Sequence, residues 1–415
     1  MKKYWFYLEE YVYVNIKSKF GLVYSTLSGD LLIIKSKEII DLLKKIYVDE
    51  NLGCIQLTSN DLSNDAIRKF VDNVLRLKLG NLIDTEINPV KPIILLPILS
   101  LNLDVDKFID KENKEFLLSK NISRYLLDIN IILNTSCSQT CKKCEYYHEQ
   151  FFHCLKNNSH LEIDKKILST LFDQIDNFPI KTINLTGGDI YHYKNLDSLM
   201  SISEKSDKKF NFYIHYLNYQ PNTFIDSSNL HILINGPIDY AKLEYVCKNT
   251  CRTNVVYHII VENENQYDSF VNTLSSLGIQ DYIAHPFYNT ENYSFFQNNI
   301  YVTKDDILES PISMQQIHRN QKVNANSFGS LYILPNGDVK ANLNDEVLGN
   351  LLHQDILSII YAELIRNTAW RQVRAGNRCS DCIFQYICSP ISNYERVIKR
   401  NDLCTINIEN DFIHI

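Results

Sequence analysis

The stretch that most narrows what this chain can become is ILNTSCSQTCKKC. An apolar run leads straight into Cys137, Cys141 and Cys144, with three and then two residues between successive cysteines. Three thiols on one short loop after a strand suit a cubane that is held by three of its irons and keeps the fourth open. Tetrahedral zinc asks for a fourth protein ligand, which Cys154 or His148 would supply. A second group lies near the end of the sequence, where RCSDCIFQYIC gives Cys379, Cys382 and Cys388, and Cys404 follows. Four thiolates complete a tetrahedral set, for a fully ligated 4Fe-4S cluster or for structural zinc.

A chain of 415 residues is longer than one hydrophobic core usually runs, so two or three domains are expected. The net charge of -7, with no long basic run, gives no nucleic-acid footprint. The opening MKKYWFYLEEYVYV meets Glu9 and Glu10 before any apolar core segment, and no small-residue cleavage site follows, so a secretory signal is not expected. The longest apolar runs, such as Ile93 to Ile98, fall far short of the roughly 20 residues of a membrane span. A cytoplasmic location follows, and in that reducing compartment clustered thiols read as metal ligands rather than disulfides.

Residues 11 to 34 alternate apolar and polar side chains around Gly21 and the Ser28-Gly29-Asp30 turn, the pattern of short antiparallel strands. Helical stripes follow from Ser36 to Ile46 and from Asn64 to about Leu79. Pro89 to roughly Lys120 reads as a connector. From residue 128 short apolar strands alternate with helical stretches: Ile129 to Leu133, Thr182 to Leu185, Phe210 to Tyr216, Leu230 to Asn235, Val255 to Val261 and Ile279 to Ala284, with helices near 163–176, 195–205, 237–247 and 265–277. That alternation implies an α/β fold, with parallel strands in an open sheet or partial barrel and the active site at their carboxyl ends. SLYILPNGDVKANLN then reads as a hairpin turning at Asn336-Gly337, before a helix near 354–368 and the cysteine-rich tail. The expected divisions are 1–90, 91–125, 126–320 and 321–415.

The loop TSCSQTCKKC resembles the signature of the radical S-adenosylmethionine superfamily. The resemblance implies that Cys137, Cys141 and Cys144 hold a 4Fe-4S cluster whose open iron binds S-adenosylmethionine, and that reductive cleavage yields a 5'-deoxyadenosyl radical. One residue departs from the pattern: Lys143 stands where the family has an aromatic side chain, with Tyr146 and Tyr147 just beyond. Gly187, Gly188 and Asp189 end the next strand as the family's Gly-Gly-Glu does, which implies contact with the methionine amino group through an acid one methylene shorter. Read alone, Gly-Gly-Asp is a common turn.

The tail resembles the SPASM domain of radical peptide maturases. Gly337 matches its hairpin glycine, but Asn342 and Ser392 occupy positions where that domain has cysteine. The resemblance therefore implies one auxiliary 4Fe-4S cluster, on Cys379, Cys382, Cys388 and Cys404, that carries an electron or staples the tail, with zinc as the alternative there. Residues 11–79 resemble the winged-helix domains that bind the leaders of ribosomally made precursor peptides as an added strand; the plainer alternative is a cap over one end of the barrel. The chain as a whole resembles the maturase and pseudo-maturase proteins of Bacteroidales systems with Gly-Gly leaders.

These resemblances imply a partial (β/α)6 radical SAM barrel between a winged-helix-like recognition domain and a SPASM-like domain. They imply an enzyme that abstracts hydrogen from a precursor peptide to install a crosslink, thioether, epimer or oxidation, with flavodoxin or ferredoxin as electron donor and without nucleic acid or a membrane span. A non-catalytic partner that presents the precursor peptide is the alternative, and a zinc-stapled binding module is a third. Cys154 is the candidate catalytic residue, as a hydrogen donor or a transient link to substrate; the competing reading is a buried, inert thiol. Cys247 and Cys251 read as packing residues. His215 and His258 lie in strand patterns, either facing cofactor or substrate inside the barrel or serving as satisfied core histidines.

Overall fold

The computed structural model describes residues 1–95, 105–157, 159–250 and 254–414. Pro97, the end of the Ile93–Ile98 run and Cys251 lie outside the described residues. The first strands are β1 (Lys3–Leu8), β2 (Val12–Ile16), β3 (Gly21–Ser25) and β4 (Leu31–Ile34), followed by α1 (Lys37–Ile46), β5 (Cys54–Thr58), α2 (Asp65–Arg76) and β6 (Gly80–Asp84). They form two antiparallel sheets, β5-β1-β6 and β2-β3-β4. Phe6, Leu8, Val23, Leu32 and Ile34 meet Ile39, Leu43, Phe70, Val71 and Val74 of the helices in one core. Helix α2 starts where the Asn64 side chain accepts the N–H groups of Ala66 and Ile67.

The antiparallel strands within 11–34 and both helices follow the sequence pattern. The sheet of β1, β5 and β6 does not. Its strands pair across long separations, Lys3 with Thr58 and Tyr4 with Asp84, and no local turn announces such pairing. The connector region contains a short helix, α3 (Lys114–Ser119), which buries Leu118.

The central sheet is built from β7 (Asp128–Ile132), β8 (Thr182–Thr186), β9 (Lys209–His215), β10 (Asn229–Ile234), β11 (Val255–Val261) and β12 (Tyr282–Pro286). These strands lie side by side in chain order and pair parallel. Between them run α4 (Cys144–Gln150), α5 (Lys165–Ile175), α6 (Leu196–Ser203), α7 (Thr223–Ser227), α8 (Tyr240–Thr250) and α9 (Glu264–Ser276). This is the expected α/β, partial (β/α)6 architecture. Strand β12 begins later than the pattern from Ile279 implies, because the Ile279 N–H closes the end of α9 by bonding to Leu274 O at 2.9 Å beside Gly278, whose φ is +77°.

Alternate residues of each strand face the helices. Ile129, Ile131, Ile183, Leu185, Phe212, Ile232 and Ile259 join one apolar core, so their neighbours in sequence face the other side. That inner face is polar. Asn130, Asn184, Asn211 and Asn229 stand in register on four adjacent strands and link amide to amide at 2.8–2.9 Å. They form a floor across the inside of the sheet.

After α10 (Tyr293–Ile300), α11 (Lys304–Glu309) and α12 (Met314–Lys322), the strands β13 (Ser330–Ile333), β14 (Asp338–Lys340) and β15 (Gly349–Asn350) extend the central sheet to nine strands, with β13 parallel to β7. The expected hairpin is present, turning at Gly337 with φ +87°. Helices α13 (Ile356–Arg366), α14 (Asn377–Ser380) and α15 (Asn393–Ile398) follow.

The outer face of β2-β3-β4 lies on this tail: Tyr13, Leu22, Tyr24 and Ile33 pack with Ile383, Phe384 and Ile387. Asn15 Nδ2 donates to Ile383 O at 2.8 Å and Ser18 Oγ to Asp381 Oδ2 at 2.7 Å. The front sheet thus holds the loop that carries the second cysteine group. Among the described residues no helix is long and apolar enough to cross a membrane.

Candidate cofactor and metal sites

Strand β7 delivers the first cysteine group. Beyond Ile132 the backbone stays tied to β8 and its loop through Leu133 N to Thr186 O at 2.8 Å and Gly188 N to Asn134 O at 2.9 Å. Cys137 and Cys141 are half-buried and Cys144 is buried at the start of α4. Lys143, just before it, has a left-handed backbone with φ 59°. Its ammonium does not take an aromatic's place but pairs with Glu262 Oε2 at 2.7 Å, 5.8 Å from the Phe287 ring centroid.

Burial pushes the Cys141 thiol up, and the neighbouring Cys144 and Cys137 add to it. Cys144 and Cys154 pack together, and the contact lowers the Cys144 thiol and raises that of Cys154. Cys154 is buried, with Sγ 3.0 Å from His153 Nδ1. The sequence candidate for catalysis therefore stands beside the cysteine loop, while Cys247 accepts from Tyr257 Oη at 3.7 Å at the end of α8.

Gly187, Gly188 and Asp189 lie against the same loop. A Cβ on Gly187 would fall 2.5 Å from Asn134 Oδ1, and one on Gly188 would fall 2.3 Å from Ser136 O, so the glycines let two chain segments close on each other. Asp189 is buried; its Oδ1 accepts from Tyr191 N–H at 3.1 Å and its Oδ2 lies 2.9 Å from His192 Nδ1. Burial raises its carboxyl despite these contacts.

Asn218 and Asn235, which no sequence pattern singled out, surround this centre together with His215. Asn218 Nδ2 donates to Cys137 Sγ at 3.3 Å and to Gly188 O at 3.2 Å. Asn235 Oδ1 lies 2.9 Å from His215 Nε2, which is 3.8 Å from Cys141 Sγ. His215 thus faces the inside of the sheet, and its burial lowers its pKa to about 4. His258 faces the same side, bonded to His231 and His285. Asn218 and Asn235 lie just past the ends of β9 and β10, so the one available signal for them was their place at the carboxyl ends of those strands.

No group of three or more His, Cys, Asp or Glu side chains among the described residues is arranged to hold a metal ion as the side chains stand. The surroundings nevertheless fit a polar, thiolate-held group. Asn218 Oδ1, Asn235 Nδ2, His153 Nε2 and His148 Nδ1 are buried without a hydrogen-bond partner, a costly state that a bound group would relieve. Thiolates are soft donors suited to iron–sulfur clusters and zinc.

The second group shares one cavity of about 380 Å³, lined by Cys379, Cys382, Cys388 and Cys404 together with Arg374 and Arg378. Burial raises all four thiols, Cys382 to about 11, and the neighbouring cysteines push Cys382 and Cys388 further up. Arg374 is clamped to Glu395 at 2.6 and 3.0 Å, both side chains almost fully buried. Asn342 and Ser392 have other tasks: Asn342 Nδ2 donates to Asn393 Oδ1 at 2.7 Å, and Ser392 caps α15.

No family model and no curated protein matches the chain. Among solved structures it is similar to Streptococcus suis SuiB, at 12% identity and a TM-score of 0.47 over 96% of this chain and 100% of that one. SuiB bound to precursor peptide SuiA gives 12% and 0.46, over 98% and 100%. The structure of anSMEcpe with bound AdoMet gives 12% and 0.42, over 63% of this chain and 84% of that one. Likeness at this identity carries neither substrate nor activity across.

Proposed function

We propose that this chain is a radical S-adenosylmethionine enzyme that modifies a peptide. The observation that carries the reading is the meeting of Cys137, Cys141 and Cys144 with Gly187–Asp189 at the carboxyl ends of β7 and β8, amid buried polar atoms that lack partners. Cys137, Cys141 and Cys144 would hold a 4Fe-4S cluster with an open iron. Bound there with S-adenosylmethionine, that cluster would supply reductive cleavage to a carbon-centred radical. The chain's own part is positioning: Asn218 orients Cys137 against the Gly188 carbonyl, and His215 and Asn235 line the approach to Cys141.

Cys379, Cys382, Cys388 and Cys404 would hold one auxiliary cluster. Their shared cavity supports that reading, and the hydrogen-bonding work of Asn342 and Ser392 fits the absence of a second one. A leader peptide would add as a strand beside β5, whose outer edge pairs with no strand among the described residues and borders a groove against α1. An electron donor such as flavodoxin or ferredoxin would serve the first cluster.

Anaerobic iron and sulfide loading tests the assignment. The parent should hold two spectroscopically distinct 4Fe-4S clusters, and S-adenosylmethionine should change the electron paramagnetic resonance signal of only one. Replacing Cys137, Cys141 and Cys144 with alanine should remove that cluster and leave the other. A colourless, zinc-loaded parent would defeat the reading.

A further inference from the structure

Three histidines stand on consecutive parallel strands, and their rings are joined in series. His231 Nδ1 lies 2.8 Å from His258 Nε2, and His258 Nδ1 lies 2.9 Å from His285 Nε2. The register is staggered: His258 sits opposite Leu233, two residues beyond His231, and His285 sits opposite Ile260, two beyond His258. The series therefore climbs toward the carboxyl ends of the strands. At its lower end Tyr213 stacks on His231, with ring centroids 4.2 Å apart and planes 12° apart. At its upper end His285 lies 5.0 Å, centroid to centroid, from Phe151, which ends the helix that begins at Cys144.

The middle ring is buried and uses both nitrogens. The two outer nitrogens, His231 Nε2 and His285 Nδ1, make no hydrogen bond to another described residue, so the series is open at both ends. Burial lowers the three imidazoles to about 4, about 3 and about 4 for His231, His258 and His285. The titratable groups around them are Tyr213 on β9, Tyr332 and Asp128 beyond it, and His153 on the cysteine-loop side. At neutral pH the rings are uncharged, each with one N–H and one lone pair. Such a series has two self-consistent registers, with the proton on Nδ1 in every ring or on Nε2 in every ring.

We propose that His285, His258 and His231 form a proton relay, which takes up a proton released by a peptide substrate at the upper end of the sheet and passes it down to the level of Tyr213. A proton binds His285 Nδ1; His285 hands its Nε2 proton to His258 Nδ1; His258 hands its Nε2 proton to His231 Nδ1; and His231 releases its Nε2 proton to water. One proton enters and one leaves; with the transfers concerted, the series moves from one register to the other and no ring keeps a charge. The proton source rests on the peptide-modifying reading above. When an oxidation joins a peptide carbon to a thiol, the carbon gives a hydrogen atom to the radical, one electron passes to an iron–sulfur cluster, and the thiol proton must leave.

Nitrogen-15 imidazole spectra of the full-length protein, taken without iron or substrate, test the relay itself. We expect through-hydrogen-bond couplings across both N–H···N contacts, and one exchange rate shared by all three rings. His258→Phe should abolish the couplings and the shared rate. An imidazolium among the three at neutral pH, or rings that exchange independently, overturns the relay whatever the radical chemistry proves to be. With a substrate peptide, His285→Ala should slow product formation by about a hundredfold, and added imidazole should restore it. No slowing, or slowing that imidazole leaves in place, overturns the role in turnover. A parent that forms no 5'-deoxyadenosine defeats the radical reading instead, and the exchange measurement then judges the relay alone.

Discussion

Asn218 Nδ2 donates to Cys137 Sγ at 3.3 Å and at the same time to the Gly188 carbonyl at 3.2 Å. One buried amide therefore ties the cysteine loop of β7 to the glycine turn of β8. Asn218→Ala should cost about 1–3 kcal/mol in denaturant unfolding and should weaken retention of the first cluster while the second is kept. Leu in its place, which restores volume without the donor, should still lose the cluster. Equal retention in both variants would remove Asn218 from the site.

The close approach of the two loops makes a backbone prediction. A Cβ at Gly188 meets Ser136 O at 2.3 Å and Ser136 C at 2.6 Å, whereas at Gly376 the nearest atom is 3.9 Å away. Gly188→Ala should lower stability by more than about 2 kcal/mol, and Gly376→Ala by less than about 1 kcal/mol. Thermal melts of the two variants make the comparison.

The histidine series predicts acid sensitivity, and its sign follows from the lowered pKa values. In the unfolded chain imidazoles titrate near 6.5, while in the fold His231, His258 and His285 do so at about 4, 3 and 4. As pH falls below about 6.5 the unfolded state gains protons that the folded state refuses, so stability is present above that value and declines toward pH 4. Each ring contributes up to about 1.4 kcal/mol per pH unit, and partial solvent contact of the outer rings reduces their share. Urea melts should lose about 4 kcal/mol between roughly pH 7 and pH 5 through these three rings, a loss that replacing all three should sharply reduce. A parent whose stability is flat across that interval contradicts it.

Arg374 and Glu395 form a buried pair at the cavity of the second cysteine group, whereas Arg366 and Glu346 form an exposed one. Glu395→Ala strands a buried guanidinium and should cost about 3–5 kcal/mol. Glu346→Ala should cost about 1 kcal/mol or less. After iron loading, the first variant should also release iron from the second cysteine group, as proposed above, at a lower chelator concentration than the parent.

The parallel strands and their helices were legible because period-2 and period-3.6 patterns alternate from residue 128 onward, and the cysteine loop follows directly on one such strand. Strands β1, β5 and β6 were not, since their pairing spans 47 to 80 residues without a turn signal; Tyr7 meets Cys54 only once α1 has been laid between them. At the site, motif spacing exposed Cys137, Cys141, Cys144 and the Gly-Gly-Asp turn. Asn218, Asn235 and the pairing of Lys143 with Glu262 were hidden, because all four residues lie in loops past the ends of strands or before a helix, where no periodic pattern applies and partners meet only once the strands are set side by side. His231 and His285 were passed over because each is a single histidine in its own strand, and only the stagger brings the rings together.

Radical chemistry on Cys137, Cys141 and Cys144 is the function proposed for this fold. The most direct test is 5'-deoxyadenosine formation by anaerobically iron-loaded protein with S-adenosylmethionine and a strong reductant, beside a variant in which all three cysteines are alanine. Formation by the parent and none by the variant is the predicted result. No formation by a parent with both clusters intact, even with candidate peptide added, would contradict the claim and leave a non-catalytic, peptide-presenting partner as the reading of this fold.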